Sequence, residues 1–204
     1  MSKVITISRE FGSGGRELGK RLAELLHIAY YDREIITAIS EKSSLAESYV
    51  NQIVEQHIVT YYPITIASSF ASVPYDAMGQ LNRSIYAAQT EVITEMAQKG
   101  DCVIVGRCAD HILRDLKPLD IFVYADMPSK IERCRKKGGE YSDLPDKELQ
   151  KKIQGVDKAR ARYYSSYTGC TWGARLNYDI CVNTSKHSIP TLALAIAEVA
   201  KEME

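Results

Sequence analysis

A glycine-rich segment near the start of the chain carries the clearest chemistry in the sequence. Ser8–Gly15 lies between a short β-branched run, Lys3–Ile7, and a run of leucines at helical spacing that follows Arg16. Three glycines let the backbone bend and approach a ligand closely. The helix that follows offers unpaired N–H groups and the positive end of its dipole. The segment therefore predicts a phosphate-binding loop. The residues predicted to bind the phosphates are Phe11, Gly12, Ser13, Gly14, Gly15, Arg16 and Glu17.

The register of this loop decides which side chains face the ligand. The familiar pattern G-x-x-x-x-G-K-[ST] matches Gly14–Arg21 in all but its last position. That match would start the helix after Leu18, although Leu18 is four residues before Leu22 and would lie on the same helical face. It also leaves too little chain for a crossover helix before the next strand. A helix that starts near Gly15 or Arg16 fits the periodicity.

In that register the lysine and hydroxyl of the pattern are both displaced. Gly15 takes the lysine position, Arg16 follows it, and Glu17 stands one residue beyond the hydroxyl that holds Mg²⁺ in the pattern. Arg16 is predicted to replace the lysine, because a guanidinium group binds phosphate through two hydrogen bonds. Glu17 is predicted to hold Mg²⁺, directly or through water, or to cap the N-terminus of the helix.

Charged residues further along the chain are the other candidates for phosphate chemistry. Arg107 follows an apolar strand at its carboxyl end, where ligands bind in parallel sheets; a structural ion pair is the alternative. Arg160 and Arg162 lie two residues apart on a predicted helix, so their side chains point about 200° apart and cannot both reach one phosphate while the helix is regular. The basic run from Lys130 to Lys137 is predicted to steer a polyanion or to be solvated surface.

Asp32 offers a different interpretation of the glycine loop. It ends the second predicted strand and follows Gly12 by about 20 residues, the spacing of the acidic residue in dinucleotide-binding folds. The glycines here are spaced G-x-G-G rather than G-x-G-x-x-G, which makes this alternative the weaker one. Asp32 also stands where the N-cap of the next helix is expected.

The elements that must position these residues alternate between strand and helix. Apolar β-branched runs predict strands, and apolar residues three or four positions apart predict helices. Such an alternation predicts a three-layer α/β/α fold with a parallel sheet of about five strands. The predicted strands are Lys3–Ile7, Ile28–Tyr31, Cys102–Val105, Leu119–Tyr124 and Tyr178–Val182. Helices are predicted after Arg16, after Asp32, and at Ser44–His57, Asn82–Lys99, Ala109–Arg114, Pro128–Lys137, Asp146–Tyr164 and Ile189–Glu204, with Tyr61–Gly79 irregular.

The composition is that of one ordinary globular domain. The chain has 204 residues, of which 45% are hydrophobic and 25% charged,. Its 26 basic and 26 acidic side chains cancel, which argues against a general nucleic-acid binder. The five cysteines have no disulfide or zinc spacing and suit a reducing compartment. With no signal sequence and no apolar stretch near the ~20 residues that span a bilayer, we expect a cytoplasmic protein without membrane or nucleic-acid partners.

Several segments together resemble one family, the cytidylate kinase-like group of P-loop nucleoside-monophosphate kinases. The Ser-Arg-Glu glycine loop within Ile5–Ala23 is the most specific of them. The likeness runs from Met1 to Glu204, although the stretch Glu41–Met96 carries little of it. The other segments that resemble the family are Tyr31–Glu34, Val105–Arg107, Asp157–Tyr164, Trp172–Gly173 and Asn177–Asp179.

The resemblance implies a P-loop NTPase fold and a division of labour within one domain, 1–204. The core would be residues 1–34 and 101–204, with an inserted helical acceptor lobe at about 35–100 and a lid at about 138–165. Cytidylate kinases transfer the terminal phosphoryl group of ATP to CMP or dCMP with Mg²⁺. Gly12–Arg16 would then hold the ATP phosphates. The acceptor would be bound by Asp32, Arg33, Arg107 and Asp110. The catalytic groups would be Arg16, Arg133, Arg160 and Arg162.

The predicted function is therefore ATP-dependent phosphoryl transfer to CMP, dCMP or a related small acceptor, in a monomer or a homodimer. The displaced lysine and hydroxyl leave three alternatives open. These are a kinase of another small molecule, a nucleotide-binding regulator without turnover, and a metabolite-binding module that takes no nucleotide at the loop.

Overall fold

A parallel sheet forms the centre of the protein. The structure is a computed structural model that describes residues 3–56 and 75–202. Within those ranges its strands are β1 (Val4–Arg9), β2 (Ala29–Tyr31), β3 (Cys102–Val105), β4 (Leu119–Tyr124) and β5 (Ile180–Asn183). They form one five-stranded sheet in the order β2-β3-β1-β4-β5, and every neighbouring pair is parallel.

Helices cover both faces of the sheet. Over the described residues they are α1 (Gly15–Leu26), α2 (Glu34–Ser43), α3 (Glu47–Asn51), α4 (Tyr75–Gln98), α5 (Ala109–Ile112), α6 (Met127–Lys137), α7 (Asp146–Thr168) and α8 (Ile189–Lys201). A π-helical turn lies at Gln52–Gln56, and 3₁₀ turns lie at Arg114–Leu116, Gly139–Tyr141 and Arg175–Asn177. None of these helices is both long and apolar enough to cross a membrane. The predicted three-layer α/β/α fold with a five-stranded parallel sheet is confirmed.

The central strand β1 is buried along its whole length. Ile5 and Ile7 pack with Leu18 of α1 and with α8 on one face of the sheet. Val4 packs with Ile93 of α4 and with α2 on the other face. Because β3 lies on one side of β1 and β4 on the other, the strand order reverses beside the carboxyl end of β1. Ligands bind at such a reversal in parallel sheets, and the glycine loop begins there.

Two predicted boundaries shift because helix caps take up the residues concerned. Ile28 is not part of β2, since its N–H donates to Ala23 O (3.0 Å) in the cap that ends α1. The helix predicted at Ser44–His57 begins only at Glu47. Ser44 itself is the left-handed cap residue of α2 (φ 56°), so it cannot open the next helix.

Two helices are longer than predicted. α4 begins at Tyr75, so the part of Tyr61–Gly79 from Tyr75 onward is helical rather than irregular, and the rest lies outside the described residues. The buried face of α4 stabilises the helix, so an added N-terminal turn has no nucleation cost. α7 continues past Tyr164 until Gly169 adopts the left-handed conformation (φ 72°) that ends it,. The last strand begins at Ile180, after a 3₁₀ turn.

Candidate active site

Glycines shape the loop between β1 and α1. Gly12 and Gly14 adopt left-handed backbone conformations (φ 73° and 82°), which glycine enters without strain. A Cβ at Gly12 would lie 3.0 Å from the carbonyl oxygen of Lys130, and a Cβ at Gly14 would overlap the side chain of Ile189. The loop therefore packs so closely against α6 and α8 that only glycine fits at these positions.

The start of α1 confirms the predicted register. The helix begins at Gly15, so Arg16 lies in its first turn. Lys20 lies in the second turn, and its side chain is 69% exposed and lies 3.9 Å from Glu24. The lysine of the apparent G-x-x-x-x-G-K motif therefore lies on the exposed face of α1.

Side chains from three elements bind the carbonyl groups of the loop. Ser13 Oγ donates to Glu10 O (2.8 Å), and Thr184 Oγ1, just after β5, donates to Ser13 O (2.7 Å). Arg133 of α6 donates from Nη1 to Gly12 O and Ser13 O (both 3.4 Å) and from Nη2 to Thr184 O. The first turn of α1 follows these bound carbonyl groups directly, and a helix N-terminus presents backbone N–H groups that can bind an anion.

A buried ionic network holds the loop against α6 and α7. Lys130 is only 5% exposed, and its Nζ lies 2.8 Å from Glu10 Oε2 and 2.9 Å from Asp157 Oδ2. The other oxygen of Asp157 accepts a hydrogen bond from the Phe11 N–H (2.6 Å). Burial acts to lower the pKa of Lys130, but the hydrogen bonds to Glu10 and Asp157 outweigh it and raise that pKa above its ordinary value,. The lysine is therefore charged.

The prediction for Lys130, that it steers a polyanion or is solvated surface, is wrong. The lysine and Cys134, one helical turn later, form the buried side of α6. The basic residues between and after them are at least partly exposed. A run of basic residues does not by itself reveal which member faces the interior, so the network could not be found from the sequence.

Asp32 joins two arginines beside the loop. Its buried carboxylate lies 2.8 Å from Arg16 Nε and 3.9 Å from Arg9 Nη2. The prediction that Asp32 caps α2 is wrong, because Arg33 is the cap residue and the Asp32 carboxylate pairs with these arginines instead. Sequence reasoning missed Arg9, which is buried at the end of β1. A cation at the end of an otherwise uncharged central strand was the available signal.

Arg107 occupies an unusual backbone conformation just beyond β3. Gly106, Arg107 and Cys108 are all left-handed (φ 76°, 63° and 54°), which is uncommon for residues other than glycine. Gln89 Nε2 donates to Arg107 O (2.8 Å), and Gln89 Oε1 accepts from Tyr163 Oη (3.0 Å). Backbone strain of this kind clusters at functional sites, and the buried glutamine bridge helps to hold it.

Arg160 contacts the loop from α7. Its Nη1 donates to Arg9 O (3.1 Å), and its guanidinium carbon lies 5.8 Å from the centroid of the Phe11 ring. Arg162 is exposed and lines none of the cavities described next. The structure thus brings one of the two predicted α7 arginines to the site, as their predicted angular separation requires.

Two cavities of similar size meet at these arginines. The loop-side cavity has a volume of about 660 Å³ and lies over the glycine loop, α6 and the start of α8. The helix-side cavity has a volume of about 670 Å³ and lies between α2, α3 and α7. Phe11, Arg16, Tyr141 and Arg160 line both. A small pocket of about 30 Å³, the arginine pocket, has Arg9, Arg107 and Arg160 in its wall.

Most of the predicted site residues lie at these cavities. Asp110 does not line them; it is buried, and its Oδ2 accepts a hydrogen bond from Tyr164 Oη (2.7 Å). Burial raises the pKa of Asp110. The loop-side cavity is lined by the predicted residues Phe11, Gly12, Gly14, Arg16, Glu17, Arg133 and Arg160. The helix-side cavity is lined by the predicted residues Phe11, Arg16, Arg33, Arg107 and Arg160.

The residues that could hold a metal ion are few. The described part of the chain contains no group of three or more metal-binding side chains. Mg²⁺ does not require one, because it commonly uses one or two carboxylates together with substrate phosphates and water. Glu17 lines the loop-side cavity, and its carboxylate lies 2.9 Å from Arg21 Nε. One carboxylate at the phosphate loop fits such a site.

One comparison with known proteins identifies the family, and others show the fold. A model described as "Cytidylate kinase-like family" matches residues 4–186. An uncharacterized protein from Eubacterium ventriosum has a similar structure, with 24% identity, a TM-score of 0.69 and coverage of 98% of this chain and 99% of that chain. We found no match among curated proteins.

Two solved kinases share the fold at lower identity. Shikimate kinase from Acinetobacter baumannii, in complex with shikimate, has 14% identity and a TM-score of 0.53, and covers 100% of this chain and 96% of that chain. Shikimate kinase from Bacteroides thetaiotaomicron has 15% identity and a TM-score of 0.57, and covers 98% and 99%. At these identities the likeness shows the fold alone, which is that of the P-loop kinases.

Proposed function

The chain belongs to the cytidylate kinase-like family, and on that premise we propose that it transfers the terminal phosphoryl group of ATP to CMP or dCMP. The observation that carries this proposal is that two cavities meet at the same arginines, Arg16 and Arg160. One cavity suits the phosphate donor and the other suits the acceptor. Cationic groups then lie where the phosphoryl group passes between them, which is what phosphoryl transfer requires.

The loop-side cavity suits ATP. The glycine loop and the first turn of α1 offer N–H groups to the phosphates, and Arg133 lies beside them with its guanidinium held on the loop carbonyls. Lys136 and Lys137 add positive charge to the same cavity, and His187 lies at its far side before α8. The triphosphate would bind at the loop and the base toward α8.

The helix-side cavity suits a nucleoside monophosphate. Its walls combine cations, Arg33 and Arg107, with side chains that can donate or accept hydrogen bonds. The cations match a phosphate group, and the neutral groups and one carboxylate match a sugar and a base. Those hydrogen-bonding residues are Thr37, Glu47, Ser48 and Asn51.

The chemical step is an in-line displacement. A phosphate oxygen of the acceptor forms a bond to the γ-phosphorus of ATP. The bond from that phosphorus to the bridging oxygen breaks, and its electron pair leaves with ADP. The acceptor phosphate is mostly a dianion at neutral pH, so no proton has to be removed from the attacking oxygen. Arg16, Arg107 and Arg160 would stabilise the charge on the transferring oxygens, and positioning supplies the rest.

Mg²⁺ fits this scheme through Glu17. When bound, the ion neutralises charge on the β- and γ-phosphates and helps to orient them. Glu17 would provide the protein carboxylate in exchange for its ion pair with Arg21. Oxygen ligands of this kind are what Mg²⁺ prefers.

The test is ADP release with ATP and Mg²⁺ in the presence of one acceptor at a time. CMP, dCMP, UMP, AMP and GMP are compared with shikimate and with no acceptor. We expect release with monophosphates and the highest kcat/KM with CMP or dCMP. Highest activity on shikimate would identify a kinase of another small molecule. Tight ATP binding without release under any acceptor would identify a regulator without turnover.

A further inference from the structure

The loop contains a reciprocal exchange of two residue types. In the register that the start of α1 defines, the pattern G-x-x-x-x-G-K begins at position 9 and ends at position 15. The chain has Arg9 where the pattern has its first glycine, and Gly15 where the pattern has its lysine. The loop therefore has the same number of cations as the pattern, but the cation stands at the other end.

The structure explains why the two changes occur together. A Cβ at Gly15 would lie 2.5 Å from Arg9 Cβ and 3.1 Å from Arg9 Cγ. Real Cβ atoms do not approach other carbon atoms so closely. Gly15 is the first residue of α1 and has no left-handed backbone conformation, so the exclusion of a side chain there is steric. Val123 Cβ lies 3.4 Å from the same point, an ordinary contact distance, so the overlap is with Arg9. An arginine at position 9 and a lysine at position 15 thus exclude one another.

The far end of the Arg9 side chain lies at the junction of the cavities. A Cβ at Gly106 would overlap Arg9 Nη1, so the guanidinium group lies directly against the backbone beyond β3. The carboxylate of Asp32 lies 3.9 Å away. Arg9 lines both the loop-side cavity and the arginine pocket. It reaches the region between donor and acceptor from the first position of the loop.

We propose that Arg9 performs the work of the P-loop lysine. Its guanidinium group binds the transferring phosphoryl oxygens, and the Asp32 carboxylate orients that group. Because Gly15 has no side chain, it leaves room for Cβ and Cγ of Arg9. Arg16 pairs with the same Asp32 at 2.8 Å, and its side chain is 39% exposed, so it stands further out than Arg9, whose side chain is 7% exposed. This inference rests on the proposed function, since it names the group that stabilises charge in that reaction.

The exchange can be reversed by mutation, which provides the test. Arg9→Gly, Gly15→Lys and the double variant are compared with the wild type. Readouts are kcat, ATP affinity by calorimetry and thermal unfolding by circular dichroism. Arg9→Lys keeps a cation at position 9 and covers the case in which the glycine variant does not fold. Lys20→Ala is the matched control, since it removes the lysine of the apparent motif from an exposed position.

We expect Arg9→Gly to lower kcat by about 10²–10³, the effect of removing one transition-state charge contact. Gly15→Lys should be at least as damaging, because its Cβ meets the Arg9 stem. The kcat of the double variant should be at least about tenfold higher than that of Arg9→Gly. Gly15→Lys would then lower kcat in the wild type and raise it in the Arg9→Gly variant, a reversal of sign that only coupled positions produce. Arg9→Lys should retain more activity than Arg9→Gly, and Lys20→Ala should match the wild type.

Two results would overturn the inference. One is a folded Arg9→Gly variant with kcat close to that of the wild type. The other is a folded, ATP-binding double variant no more active than Arg9→Gly. A wild type without turnover would instead contradict the proposed function. In that case ATP affinity replaces kcat as the readout, and the same reversal between single and double variants is expected.

Discussion

The loop-side and helix-side cavities have nearly the same volume, about 660 and 670 Å³, but they are built from different parts of the chain. The loop-side cavity is formed around backbone. Glycines bring the chain close to the ligand, and buried groups such as Lys130 and Thr184 hold it in place. The helix-side cavity is formed mainly by side chains of α2, α3 and α7.

This difference separates the recognition of phosphate, which is general, from the selection of the acceptor, which is specific. Backbone N–H groups recognise phosphate in any nucleotide, so the loop-side cavity needs rigidity more than particular side chains. Side chains at the helix-side cavity can change without disturbing the sheet, so they are the ones that set the acceptor. Changes in the first region should therefore alter stability and ATP use, and changes in the second should alter the acceptor alone.

The largest expected effect comes from breaking the buried support of the loop. Lys130→Met would leave the partly buried carboxylates of Glu10 and Asp157 without their buried cation. Breaking one partner of a buried ion pair typically costs about 3–5 kcal/mol, so unfolding by urea should begin at a much lower concentration. Lys136→Met is the matched control on the same helix, because Lys136 is exposed and pairs with the exposed Glu132. This variant should change stability by about 0.5 kcal/mol or less. Equal stability of the two variants would contradict the supporting role.

The next effect concerns a residue that belongs to both cavities. Arg160→Ala should lower kcat by about 10²–10³, because Arg160 lies at the junction and contacts the loop,. Arg162→Ala is the matched control, two residues away on the exposed face of α7. Steady-state kinetics with saturating ATP would show the contrast. If the two alanine variants lost activity to the same extent, the junction would not be where the transfer occurs.

A pair of variants should show which substrate binds in each cavity. Asn51→Ala, at the helix-side cavity, should raise the acceptor KM about three- to tenfold and leave the KM for ATP unchanged, as expected for loss of one hydrogen bond. His187→Ala, at the loop-side cavity, should do the reverse. Initial rates over a grid of both substrates would measure the four constants. An effect of Asn51→Ala on ATP alone would exchange the assignments of the two cavities.

The smallest expected effect lies away from both cavities and concerns pH. Burial raises the pKa of Asp120 from 3.8 to about 7, and Asp110 and Asp179 add to the rise, whereas the hydrogen bond from Thr6 opposes it. Between those two values the folded protein binds a proton that the unfolded chain has released, so Asp120 lowers stability as pH rises through that window.

Asp120→Asn removes this titration. The melting temperature of the variant should therefore exceed that of the wild type by more at about pH 8 than at about pH 5, by a few degrees. Kinetic constants should not change, since Asp120 lines neither cavity. A difference that is the same at both pH values would show that Asp120 titrates normally.

The sequence predicted the parts of the molecule that depend on local pattern. Periodicity predicted the five-stranded parallel sheet and the start of α1, because buried strands and amphipathic helices repeat their apolar residues at known spacing. Because Leu18 and Leu22 lie on the same helical face, the helix had to begin before Leu18, which excluded the apparent motif that ends at Lys20. The angular separation of Arg160 and Arg162 also followed from helix geometry alone.

The parts that were missed depend on contacts between distant segments. Lys130 meets Asp157 only when α6 and α7 pack together, and no local pattern distinguishes it from its basic neighbours. Asp32 was predicted to cap a helix because it precedes one, but two arginines from β1 and α1 compete for its carboxylate. Arg9 was missed as well, because the steric contact that couples it to Gly15 is seen only in the structure.

In the proposed reaction, a phosphoryl group passes from a nucleotide at the loop-side cavity to a monophosphate at the helix-side cavity. Phosphorus NMR of the protein with ATP, Mg²⁺ and CMP tests it most directly, because it identifies the product. We expect the ATP and CMP signals to fall together while those of ADP and CDP rise in equal amounts. Conversion of ATP to ADP and inorganic phosphate with CMP unchanged, or no conversion with any monophosphate, would contradict it.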